Sequence, residues 1–105
     1  MNTMWICYSP QPGGPEALRF LTAPRPQPGP AQVLIRVGAV GVNRLDAMQR
    51  AGNYPLPPGV NPVLGVEVGG EVIATGPEVR GIAVGMRVAA LLEGGGYAEF
   101  ACADY

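Results

Sequence analysis

Gln32-Val33-Leu34-Ile35-Arg36-Val37-Gly38-Ala39-Val40-Gly41-Val42 is the stretch on which the fold turns. Its first six residues alternate, with Val33, Ile35 and Val37 on one side of an extended chain and Leu34 and Arg36 on the other. A period of two with this composition describes a strand whose one face lies in a core and whose other face is partly wet. Gly38 and Gly41 then interrupt the run. Glycines inside a strand mark a bulge, a bend or the close approach of another backbone, so the strand is expected to curve, as strands do when a sheet rolls into a barrel.

Immediately after it the period changes. Asn43 has the side chain of a helix N-cap, Asp46 falls three residues later as in a capping box, Arg50 stands in the last turn, and Gly52 supplies a left-handed stop. The spacing predicts one helix of about two turns. Outward from this centre, Trp5 to Tyr8, Ala17 to Thr22, Val66 to Thr75, Arg87 to Leu92 and Tyr97 to Cys102 are short apolar runs bounded by Gly and Pro clusters, and they read as strands. Gly69-Gly70 breaks the run from Val66 as Gly38 and Gly41 break the first. Gly94-Gly95-Gly96 is followed by the alternating Tyr97-Ala98-Glu99-Phe100, with no lysine and no helical pattern, so it reads as a hairpin turn rather than a phosphate loop. The expected fold is mainly β, a small barrel or sandwich with one short helix.

A chain of 105 residues allows one domain, here residues 1–105. Sixteen glycines and twelve prolines give many turns, while 48% hydrophobic and only 14% charged residues argue for a packed core. Seven arginines, no lysine and eight acidic residues leave a net charge of −1, which provides no basic patch for nucleic acid or for an anionic membrane surface. Histidine is absent, which removes the commonest general base near neutral pH and the commonest metal ligand. Cys7 and Cys102 lie far apart with no CxxC pair, so they read as two thiols in a reducing compartment. The N-terminal residues lack a signal-peptide pattern, and no apolar run approaches the ~20 residues of a membrane span. A soluble, cytoplasmic protein is expected.

Three segments together carry a resemblance: Gly41 through Pro55, Pro62 through Val72, and Gly76 through Val88 continued by Gly94-Gly95-Gly96-Tyr97-Ala98-Glu99-Phe100. They resemble the N-terminal catalytic domain of the medium-chain dehydrogenase/reductase superfamily, most closely its zinc-independent quinone oxidoreductase branch. The resemblance implies a GroES-like barrel that forms the substrate side of a cleft opposite a Rossmann domain carrying NADP. No G-x-G-x-x-G between a strand and a helix occurs in this sequence, so the Rossmann domain is expected to be absent from the chain and tight cofactor binding by it alone is not expected. Zinc-dependent relatives carry a cysteine where this sequence has Asn43 and Gly-His-Glu where it has Gly65-Val66-Glu67. Asn and Val do not replace thiolate and imidazole, so no metal, and zinc in particular, is expected.

What the resemblance implies for the site is specific. The positions of Asn43, Asp46 and Tyr54 line the cleft near the nicotinamide and the substrate carbonyl, which makes all three cofactor-binding candidates. Asn43 and Tyr54 are the catalytic candidates, because a carboxamide and a phenol can donate hydrogen bonds to an oxygen that becomes anionic as hydride arrives. The residues alone also allow a purely structural account: Asn-x-x-Asp at a helix start is explained by capping, and a tyrosine before a proline-rich loop can pack on that loop. Glu67, in an otherwise apolar strand, is expected to form an ion pair with Arg44, Arg50 or Arg87.

Two functions remain in view. In the first, the chain is the substrate-side domain of an NADPH-dependent quinone or enone oxidoreductase, acting on a quinone or α,β-unsaturated carbonyl and inactive without a cofactor domain. In the second, it is a stand-alone GroES-like module for binding or oligomerisation. Open strand edges and the apolar Tyr54-Pro55-Leu56-Pro57-Pro58-Gly59-Val60 segment lead to the expectation of a homo-oligomer.

Overall fold

The computed structural model describes residues 2–105. Strands β1 (Thr3–Tyr8) and β2 (Arg19–Pro24) pair antiparallel, joined through a short 3-10 turn at Pro15–Ala17. Strand β3 (Gln32–Val40) leads into helix α1 (Arg44–Arg50), followed by β4 (Glu67–Thr75), β5 (Arg87–Leu91) and β6 (Phe100–Asp104). The last four strands form one antiparallel sheet in the order β5-β4-β3-β6. The residues just before β6 join this sheet to the hairpin. Ala98 bridges to Ile6, the Cys7 N–H donates to the Tyr97 carbonyl at 2.8 Å, and the Val37 N–H donates to the Glu99 carbonyl at 2.8 Å. The two sheets are thereby rolled together into a small barrel-like body, with one short helix on its outside.

β3 is the axis of this body, as its alternation predicts. Val33 and Ile35 turn inward against Val68, Val72 and Ala103, with Val37, Val88, Ala90 and Leu92 packed around them. Ile35 and Val72 are fully buried. Full burial of an aliphatic side chain stabilises by about 1.5–3 kcal/mol, and such residues dominate a core this small. The opposite face of β3 is less wet than its pattern suggests, since Leu34 is buried and only Arg36 reaches water, where it pairs with Glu71 at 2.5 Å.

The glycines bend the sheet where the sequence places them. Register slips by one residue between Val37 and Ala39, with Gly38 as the extra residue, and again between Leu34 and Ile35. At Gly70 an added Cβ would fall on the Arg36 carbonyl, so β3 and β4 close only because that position is bare.

Three expectations change. Ala17 belongs to the 3-10 turn rather than to β2, and β6 begins at Phe100 rather than Tyr97. Gly94-Gly95-Gly96 is not a hairpin turn, because β5 and β6 lie at opposite edges of their sheet. The connection instead runs alongside residues 61–66: Leu92, Gly95, Gly96 and Tyr97 donate their N–H groups to the carbonyls of Val66, Val63, Gly65 and Leu64. Side chains at Gly94 or Gly96 would collide with the neighbouring backbone at Asn61 or Gly65, which is the physical reason for the glycine run.

Candidate functional site

β3 leaves the sheet at Gly41, and its next residues start α1. Asn43 takes an extended conformation as N-cap, and the Asp46 carboxylate reaches back to accept from the Asn43 backbone N–H at 2.9 Å, closing the capping box that the spacing predicts. Asp46 does more than cap. It is the one buried charged residue among those described, 3% exposed, and all its hydrogen-bond partners are donors. Its Oδ2 also accepts from the Tyr97 hydroxyl at 2.9 Å, and its Oδ1 accepts from the Gly65 N–H at 3.2 Å. A buried carboxylate is tolerated when donors surround it and when it lies at the positive end of a helix, and Asp46 meets both conditions.

Gly65 and Tyr97 complete this knot. Gly65 has φ +101°, in the left-handed region, and an added Cβ there would meet Tyr97 and Gly96, so glycine alone fits. Burial, and then the hydrogen bond to the Asp46 carboxylate and its negative charge, push the Tyr97 phenol up to about 12. At neutral pH Tyr97 is therefore a fixed donor to Asp46. Burial also pushes both the Cys7 and Cys102 thiols up, away from the reactive thiolate.

The Asn43 side chain is held separately. Its Nδ2 donates to Glu67 Oε1 at 3.1 Å, and the Glu67 chain lies over the bare Cα of Gly41. Glu67 thus makes no ion pair with Arg44, Arg50 or Arg87, because it is exposed rather than buried and an amide occupies it. Arg50 is engaged elsewhere, with its Nε donating to the Gly13 carbonyl at 3.1 Å. Asn43 is consequently fixed at two points, its backbone by Asp46 and its amide by Glu67. One amide hydrogen remains for a ligand, while the amide oxygen faces the Asp46 N–H in the capping box.

Tyr54 lies beyond the other end of α1. Gly52, at φ +86°, turns the chain out of the helix, and Gln49 ties the following loop down by donating to the Pro62 carbonyl at 2.9 Å. The Tyr54 ring is 40% exposed, and its hydroxyl makes no hydrogen bond among the described residues. The structure therefore joins Asn43 to Asp46 directly and leaves Tyr54 as a separate free donor. Among the described residues, hollows of about 680 and 390 Å³ mark the surface. None of the three sequence-derived residues lines either one; the smaller is lined by Glu67, which holds Asn43.

The fit to NADP is one-sided. Asn43 and Tyr54 offer neutral donors suited to a nicotinamide or a carbonyl oxygen. The glycine run offers no cradle for phosphates, since the Gly95 and Gly96 N–H groups are already given to Val63 and Gly65. Among the described residues no group of three or more His, Cys, Asp or Glu side chains is placed to hold a metal ion. No helix among them is long and apolar enough to cross a membrane.

Comparison with known proteins agrees with this fold. Residues 29–105 match the family model described as the alcohol dehydrogenase GroES-like domain. A quinone oxidoreductase of Pseudomonas aeruginosa is 46% identical over 77 residues, covering 73% of this chain and 23% of that protein. The crystal structure of the human synaptic vesicle membrane protein VAT-1 homolog-like protein superimposes with a TM-score of 0.90 at 33% identity, covering 99% of this chain and 33% of that one. A mycobacterial protein solved in complex with NADPH gives a TM-score of 0.82 at 40% identity, covering 96% of this chain and 31% of that one. The chain thus spans about a quarter to a third of the length of these relatives.

Proposed function

The chain belongs to the family of alcohol dehydrogenase GroES-like domains, and on that premise we propose that its 105 residues form one domain, the substrate side of a zinc-independent, NADPH-dependent quinone or enone oxidoreductase. The protein is cytoplasmic in this reading, and it does not turn over without a cofactor domain. The observation that carries the proposal is Asn43, held at its backbone by Asp46 and at its side-chain amide by Glu67. An amide fixed in this way is pre-organised to donate its remaining hydrogen to a carbonyl oxygen, and pre-organised donors lower the cost of developing negative charge.

Bound NADPH supplies the hydride. The chain's own contribution is to orient the acceptor and to stabilise its oxygen: Asn43 donates to that oxygen, and the Tyr54 phenol supplies a second donor from the loop after α1. Asp46, closed off behind them, acts as a positioning residue for the cofactor-facing end of the site. The zinc-independent reading rests on donor chemistry, since Asn43 and Val66 stand where zinc-binding relatives of this kind carry cysteine and histidine.

The test uses a longer chain in which these residues are followed by a cofactor domain. Asn43→Ala is expected to lower kcat for a quinone by about 10²-fold with little change in KM for NADPH, the loss typical of one oxyanion donor. Unchanged kinetics would remove Asn43 from catalysis.

A further inference from the structure

β5 is an end strand of the four-stranded sheet, and only one of its two edges is used. The Leu92 N–H donates to Val66 and the Val72 N–H donates to Met86, which sets the phase of the ladder between β4 and β5. In the register Glu67↔Leu91 through Glu71↔Arg87, Val88 and Ala90 turn their backbone groups toward β4, and Arg87, Ala89 and Leu91 turn theirs outward. Those outward groups have no partner among the described residues. The side chains divide in the same way: Val88, Ala90 and Leu92 pack on the core, whereas Arg87 and Ala89 are exposed and Leu91 is 84% exposed. Beside this edge lies the hollow of about 390 Å³, walled by Val40, Gly69, Ala89 and Leu91.

The open edge has a sequence that complements itself. Outward along the strand stand Arg87, Ala89 and Leu91, and the exposed Glu93 follows in the bend just past the strand end. In an antiparallel pairing of two copies centred on Ala90, Arg87 stands opposite Glu93 of the second copy and Ala89 stands opposite Leu91. Each large apolar side chain then meets a small one, each cation meets a carboxylate, and the outward N–H and C=O groups fall in hydrogen-bonded pairs. Neither Arg87 nor Glu93 has an ion-pair partner within the chain among the described residues. Shifting the centre to Ala89 would set Arg87 against Leu91 and leave Glu93 unpaired, so the charges select one register.

We infer that a second copy of this chain docks on the β5 edge in the register centred on Ala90, making one continuous sheet across a two-fold axis. None of Asn43, Asp46 and Tyr54 lines the hollow beside this edge, although Glu67, which holds Asn43, does.

Sedimentation equilibrium from micromolar to millimolar concentration tests the inference. The mass is expected to rise from 10.9 kDa toward twice that value. Arg87→Glu and Glu93→Arg each convert two opposite-charge pairs into like-charge pairs and are expected to weaken association about tenfold. The double variant Arg87→Glu/Glu93→Arg restores both pairs and is expected to recover the original affinity. Ala89→Pro removes an outward N–H without touching the ladder to β4 and is expected to weaken the dimer while circular dichroism is unchanged. A single species of 10.9 kDa across the range would overturn the inference. So would a dimer indifferent to both single charge reversals, which would place another surface or another segment at work, or a double variant that fails to recover.

Discussion

Asp46 is the residue on which the local chemistry depends. It satisfies donors from Asn43, Gly65 and Tyr97, which come from three separate parts of the chain. Asp46→Ala would leave the buried Gly65 N–H and the part-buried Asn43 and Tyr97 donors without their acceptor, and a buried unsatisfied donor costs about 1–3 kcal/mol. Urea unfolding is therefore expected to show a loss of about 1–3 kcal/mol, a large share of the stability of a small domain. Tyr97 makes a pH-dependent prediction. Its phenol titrates at the ordinary 10 in the unfolded chain and near 12 in the folded one, so the folded state holds the proton more tightly. The stabilisation this provides is complete below pH 10 and is lost as pH rises through 12. Tyr97→Phe is expected to abolish that alkaline loss, and an unaltered alkaline profile in the variant would show that the phenol is not held as described. The Asn43–Asp46 half of this arrangement was legible in the sequence, because a capping box is local and has a fixed spacing. Tyr97 was not, because its bond to Asp46 spans 51 positions and depends on the path of the glycine-rich connection.

Among the elements, the strands and the helix were readable because each buries one face with its own period. β3 and α1 keep the bounds their patterns predict to within two residues. The connection through Gly94 to Gly96 was misread because a glycine run in sequence signals freedom of backbone, whereas here it serves close packing of one backbone on another. Glu67 was misread for a related reason: its neighbours in sequence are apolar, but its strand begins at the sheet's exposed end beside Asn43. The bends in β3 and β4 give a sharp comparison. An added methyl at Gly70 would strike the Arg36 carbonyl, whereas at Gly69 the nearest atom would be 3.8 Å away. Gly70→Ala is expected to destabilise by about 3 kcal/mol, while Gly69→Ala stays within about 1 kcal/mol. Thermal unfolding of the two variants measures the difference, and equal losses would contradict the close approach of β3 and β4.

For the whole molecule, one small core centred on Ile35 and Val72 supports both the site at the start of α1 and the open edge at β5. Ile35→Ala is expected to cost about 2–5 kcal/mol in urea unfolding, enough to populate the unfolded state of a domain this size. The family relationship and this core explain why the chain folds into a GroES-like shape while spanning only about a quarter to a third of its relatives. They also locate the question of function in a few exposed donors rather than in the fold itself. The most direct test of the substrate-side reading is a nuclear magnetic resonance titration of the isotope-labelled chain with a soluble quinone and, separately, with NADPH. The account predicts that the quinone shifts the Asn43 side-chain amide and the Tyr54 signals, and that NADPH produces no tight complex. Quinone shifts confined to the larger hollow around Gln32, Asn61 and Asp104, or tight NADPH binding, would contradict it.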